Sequence, residues 1–265
     1  MRTVVTPGQD TDLIKLEVAD IEAGGSLRFS AEGESLVVIL HGVLDVEVDG
    51  DPLGRAGGRA SVFDGGGDAV YLPPGAVLDV VALSETDAAG AAIAVASAPL
   101  AEEPAAPARV IRPADHRVAD VGEGNWARRV RTILGPEHAA GRLLVGETVN
   151  PAGNWSSYPP HKHDEHNPPH EVALEEVYLF KVDPPGGFGV QILYDPGPRG
   201  ERATVVHDGD VAIIRSGYHP VVGAPGYSLY YLWVMAGQGR LMIPSLDPHH
   251  AWVQARLQTQ AQQGR

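Results

Sequence analysis

No cysteine occurs among the 265 residues, which excludes a disulfide framework and any thiolate metal ligand. A metal, if one is held, must sit on imidazole and carboxylate. Long apolar runs are absent as well: no stretch approaches the length needed to cross a bilayer, and the opening Met1-Arg-Thr-Val-Val-Thr-Pro-Gly lacks the apolar centre of a signal peptide. The expectation is a soluble, cytoplasmic protein with no membrane partner, and without a secretory signal the Asn154-Trp155-Ser156 sequon is a chance match. Positive charge is scarce. A formal net charge of −14 leaves no basic stripe to displace phosphate counterions, so no nucleic-acid partner is expected. That field also opposes an anionic ligand, which would need local Arg or Lys to reverse the potential in its pocket.

Turn formers, by contrast, are plentiful. The 32 Gly and 22 Pro are spread along the chain and divide it into many short segments, the pattern of an all-β sandwich or barrel. Helix is a minor component, its best candidate running from Trp252 onward. The Pro/Ala-rich Glu102–Ala108 reads as a connection between two patterned regions, which places the expected domains at 1–105 and 106–265. Strand-like segments in the first include Ser35–Leu40, Val43–Val48 before an Asp49-Gly50 turn, and Ala69–Leu72. In the second they include Arg142–Val145, Glu176–Val182, Gly189–Tyr194, Asp210–Ile214 and Tyr227–Met235. One spacing recurs: Gly67 and Pro73-Pro74-Gly75 match Gly209 and Arg215-Ser216-Gly217, each a turn, a buried strand and a second tight turn.

Chemistry concentrates in the second half. His161 and His163, two apart on a strand, point to one face. Glu176 begins a β-branched and aromatic run that can bring a carboxylate to the same place, and His219 follows the second glycine turn. Three imidazoles and one carboxylate suit a divalent ion, zinc, manganese or iron, with positions left for water or substrate. His-x-His pairs are also common on polar loops, but the clustering of imidazole with carboxylate is harder to read as solvated surface. The first half has no such ligands.

Together, His-x-His with a following Glu and the glycine turn with its His resemble the two motifs of the cupin superfamily, and their tandem setting resembles a bicupin. More narrowly, Leu144-Val-Gly-Glu-Thr148, Gly153-Asn-Trp-Ser-Ser-Tyr-Pro-Pro-His-Lys-His-Asp164, Leu174-Glu-Glu-Val-Tyr178, Gly217-Tyr-His-Pro220, Ala224-Pro-Gly-Tyr227 and Met235-Ala-Gly237 resemble the 5-deoxy-glucuronate isomerase family of myo-inositol catabolism. The resemblance implies two tandem cupin barrels, the first without metal ligands. It also implies His161, His163, Glu176 and His219 as ligands, and isomerisation of 5-deoxy-D-glucuronate to 2-deoxy-5-keto-D-gluconate. Departures from the general cupin pattern are Arg215 in place of a proline, a Gly217–His219 spacing one residue short, and a longer 164–174 gap that adds His166 and His170. Glu175 faces away from Glu176 on a strand, and Glu176 is preferred because Tyr178 and Phe180 share its face.

Such an isomerase needs a general base, for which Tyr178, Tyr218, Tyr230 and Glu147 are the candidates. The carboxylate of a small-molecule sugar acid needs a cation, with Arg142 and Arg240 as candidates; either can equally snorkel over an apolar strand face. Lys162 is expected to point away from the metal. Alternative readings are a 4-deoxy-5-ketouronate isomerase of pectin breakdown, a cupin dioxygenase, and a non-enzymatic sugar-binding bicupin. Exposed strand edges on two barrels make a homo-oligomer reasonable.

Overall fold

A computed structural model describes residues 1–84, 90–100, 106–195 and 200–256. Each half forms one large and one smaller antiparallel sheet. In the first half the large sheet runs, in spatial order, Arg2–Val5, Lys15–Glu22, Gly90–Ala98, Glu34–His41, Ala69–Leu72 and Arg109–Ile111, and the smaller one runs Ser26–Ser30, Val77–Ala82, Val43–Val48 and Asp51–Gly57. In the second half the large sheet runs Arg117–Val121, Arg128–Leu134, Leu144–Asn150, Ser228–Gly237, Leu174–Asp183 and Val211–Ile214. Its smaller companion is Trp155–Ser156, Val221–Gly223, Gly189–Tyr194 and Glu201–Val206. The result is the expected all-β pair of barrels. The helix expected from Trp252 covers 251–256, and its remainder lies outside the described residues. No helix among the described residues is long and apolar enough to cross a membrane.

Turn chemistry fixes the hairpins. Asp49 and Gly50 both take positive φ (55° and 88°), as a two-residue hairpin turn requires. Gly75 and Gly217 occupy equivalent left-handed positions (84° and 85°) after the matching strands of the two halves. The expected boundary at 105/106 falls at the edge of residues 101–105, which lie outside the described set; just beyond it, Arg109–Ile111 still pairs with Ala69–Leu72 of the first half.

Burial divides into three cores. One fills the first barrel, with Val37, Ile39, Val70 and Ile93, and another fills the second, with Phe180, Tyr231, Trp233 and Ile214. The third lies between the large sheets of the two halves and combines Leu16, Leu36 and Val38 with Val145, Val177, Leu179, Leu232 and Val234. The central strands are therefore buried on both faces, which explains the unbroken apolar run Leu36–Leu40. Each such Leu, Ile or Val contributes about 1.5–3 kcal/mol on burial.

Two carboxylates cross this interface in opposite directions. Glu175 accepts the backbone N–H groups of Asp12, Leu13 and Ile14, each at 2.7 Å. Glu34 accepts those of Arg142 and Leu143 at 2.8 Å and of Gly141, and also the Tyr71 hydroxyl. The two are equivalent positions: Glu34 pairs across its sheet with Ala98 and Glu175 with Ala236. Each thus caps the chain entering a strand of the other half's large sheet, Lys15–Glu22 for Glu175 and Leu144–Asn150 for Glu34. Glu34→Ala or Glu175→Ala orphans three N–H donors, and a loss of about 2–4 kcal/mol is expected in urea unfolding, larger for the fully buried Glu34.

Candidate metal centre

His161 lies on a two-residue ribbon paired with Ser245–Leu246, His163 follows it, and His219 comes just after the Gly217 turn. Ring nitrogens of the three approach within 4.8 Å of one another. Their Nδ1 atoms face backbone carbonyls: Leu174 O at 2.8 Å for His163, Gly217 O at 3.0 Å for His219 and Pro159 O at 3.4 Å for His161. A carbonyl only accepts, so Nδ1 carries the proton and the Nε2 lone pair is left for the centre. Glu176 Oε2 lies 3.2 Å from His163 Nε2 and 3.3 Å from His219 Nε2.

The electrostatics suit a cation. Burial, with the neighbouring His163, lowers His161 to about 3, and burial with His161 lowers His219 to about 3, so both are neutral donors at neutral pH. Burial also opposes charge on His163, but Glu176 outweighs it and raises this residue above its ordinary value. A divalent ion would offer the same carboxylate a partner. His219 Nε2 is buried without a hydrogen-bond partner, an orphaned lone pair that metal ligation would satisfy. Nitrogen and carboxylate donors of this kind fit zinc, manganese or iron.

His161, His163 and Glu176 form one wall of a cavity of about 340 Å³, with His219 buried behind them; Arg128, Thr148, Ser157, Tyr178, Tyr231, Trp233, Met235 and Met242 help to line it. Tyr178 is fully buried, bonds Ser157 Oγ at 2.9 Å, and is raised by burial and by Glu176, so its phenol stays protonated. Tyr231 pairs with Ser156 and lies against Tyr178, with ring centroids 4.3 Å apart.

Of the other candidates, several lie elsewhere. Glu147 and Tyr230 face the core between the halves, where Glu147 bonds Arg59 at 2.6 Å and the Tyr230 hydroxyl at 3.0 Å. Their strand neighbours Thr148 and Tyr231 face the cavity instead, as alternation demands. Tyr218 stacks on Tyr194, centroids 5.2 Å apart, because the residue before His219 points the other way. Arg240 is spent on the carbonyls of Gly135, His138 and Leu143 at 2.6–3.0 Å, and Arg142 reaches Gly237 O at 3.4 Å; neither lines the cavity. Lys162 points away, pairing with Asp164 and Glu171, and organises the long gap in which His166 and His170 are exposed.

Sequence reasoning missed Ser157, Tyr231 and Arg128. Cross-strand register carried the signal for Tyr231: Tyr178 stands opposite Trp233 and Phe180 opposite Tyr231, so the Glu176 face continues through Tyr231. His163→Ala or His219→Ala is expected to lower bound metal at least tenfold by elemental analysis. Tyr218→Phe and Tyr230→Phe are expected to retain it.

The comparisons agree with this architecture. A protein named 5-deoxy-glucuronate isomerase from Geobacillus thermodenitrificans (strain NG80-2) is 39% identical over 244 residues, covering 91% of this chain and 86% of the relative. One of the same name from Bacillus subtilis (strain 168) is 33% identical over 256 residues, covering 96% and 92%. The crystal structure of an IolB-like protein from Salmonella typhimurium LT2 superposes with a TM-score of 0.89 at 33% identity, covering 96% of this chain and 94% of that one. Oxalate decarboxylase of Bacillus subtilis, a protein with Mn(II) centres, shares the fold alone, with a TM-score of 0.61 at 10% identity over 88% of this chain and 71% of its own. The model of the KduI/IolB family matches residues 1–253, and with relatives this similar along nearly its whole length, the chain belongs to that family.

Proposed function

We propose that this protein isomerises 5-deoxy-D-glucuronate to 2-deoxy-5-keto-D-gluconate at a divalent metal held by His161, His163, His219 and Glu176. The observation that carries the reading is the convergence of His161, His163 and His219 with Glu176, where His161, His163 and Glu176 form one wall of a cavity, in a chain whose relatives bear that activity's name. Zinc, manganese or iron would act there as a Lewis acid on the carbonyl and its neighbouring hydroxyl.

The chain's own residues have two tasks. The first is moving the proton between the two oxygens. Aldose–ketose exchange shifts one proton between adjacent carbons and another between their oxygens. Tyr178, protonated and bonded to Ser157, supplies a hydroxyl pair able to donate to one substrate oxygen while accepting from the other. The second is excluding water, which Leu174, Trp233, Met235, Met242 and Ile243 do by lining the cavity with apolar surface.

The division at 105/106 belongs to the same proposal, with a first barrel that bears no ligands: Ser35, bonded to Ser97, follows Glu34 where Glu176 follows Glu175. Self-association also remains part of it. Arg2–Val5 and Arg117–Val121 each end a sheet with no further strand beyond them among the described residues.

Metal-loaded protein with 5-deoxy-D-glucuronate in deuterated water is expected to give the ketose by NMR, and Tyr178→Phe to lower kcat about 100-fold with metal content kept. No product from fully loaded wild type overturns the assignment and directs the assay to the 4-deoxy-5-ketouronate.

A further inference from the structure

Arg128 begins the strand Arg128–Leu134 and lines the same cavity as the imidazoles and Tyr178. It is the one cationic Arg or Lys among the cavity-lining residues. Among the described residues its guanidinium makes a single hydrogen bond, to Trp126 O at 3.2 Å. Other arginines are occupied very differently: Arg129 is held by Asp120 at 2.7 Å, Arg59 by Glu147 at 2.6 Å and Arg112 by Asp68 at 2.6 Å. Arg128 has no such carboxylate among the described residues. Burial acts against its charge, and only the phenols of Tyr231 and Tyr178 act in the other direction. A guanidinium at a poorly solvated wall with most of its donors unused is costly to keep charged, and a carboxylate ligand offsets that cost.

The site's surroundings strengthen the argument. The chain carries a net charge of −14, and the cavity-lining residues include one carboxylate, Glu176. An anionic ligand therefore has one place in the cavity, apart from the metal, where its charge is favoured. A six-carbon acid has its carboxylate and its carbonyl at opposite ends, and a cavity of about 340 Å³ accommodates it.

Resting on the isomerase reading above, we propose that Arg128 receives the substrate carboxylate and so directs the opposite, carbonyl-bearing end of the sugar acid to His161, His163 and His219. The residue selects acids over neutral aldoses, and it orients the chain of carbons before any proton moves. A planar fork matched to a carboxylate makes the preference one for Arg rather than for positive charge alone.

The test compares wild type, Arg128→Lys and Arg128→Met, all checked for metal content and thermal midpoint. Turnover is measured with 5-deoxy-D-glucuronate and with its analogue in which the carboxylate is reduced to a primary alcohol. Calorimetry of D-glucuronate against D-glucose on the metal-loaded proteins supplies a reading independent of turnover. The expected result is that Arg128→Met raises KM for the acid about 30-fold or more, leaves the alcohol analogue within about threefold of wild type, and abolishes the preference for glucuronate over glucose. Arg128→Lys should lie between. Equal losses for acid and alcohol, or metal loss in both variants, would assign Arg128 a structural role and overturn the proposal. Absence of turnover by wild type with an Arg128-dependent preference for glucuronate would sink the isomerase reading while sustaining the anchor. Wild type that binds glucuronate and glucose alike would sink the anchor whatever the turnover.

Discussion

Strands Glu34–His41, Leu174–Asp183 and Ser228–Gly237 have almost no solvent face. One set of their side chains stacks against the other half of the molecule, and the alternate set fills a barrel or lines the cavity. A side chain's position therefore depends on parity. Along Leu174–Asp183, Glu175, Val177 and Leu179 serve the interface while Glu176, Tyr178 and Phe180 serve the barrel. A slip of one residue would exchange the two sets completely. The reciprocal hydrogen bonds of Glu34 and Glu175 pin this register from both sides.

The same two-sided burial decides what could be read before the structure. Strands and hairpins were legible because their signals are local: Asp49-Gly50 and the glycine turns at 75 and 217 need only their own backbone. The convergence of His161, His163 and Glu176 was legible because two histidines two apart, followed by a carboxylate, leave little freedom of direction. Choosing between Tyr230 and Tyr231, or between Glu147 and Thr148, was not, because apolar residues stand on both faces and polar alternation disappears. Arg240 looked free because the carbonyls that hold it belong to a loop some hundred residues earlier. Arg128 stood beside Arg129 and Arg131 with nothing in the sequence to mark which one turns inward.

Buried charge is handled in three ways. Glu34 and Glu175 are satisfied by backbone donors, Arg59 and Glu147 by one another, and Glu176 by imidazole. The first two are permanent and hold the halves together. The third has a partner that can be exchanged, which is the property a metal centre requires. The ionic groups nearest the cavity are thus the least committed to the fold, while those at the interface are tied to partners across it.

Glu175 and Glu176 share one peptide unit. The first grips residues 12–14 of the ligand-free half and the second belongs to the imidazole cluster, so tension on one is felt at the other. The first barrel is in this sense a splint: without donating an atom to the centre, it immobilises the backbone from which a donor projects. Loading a metal at the imidazoles and docking the halves would then be linked equilibria, each tightening the other.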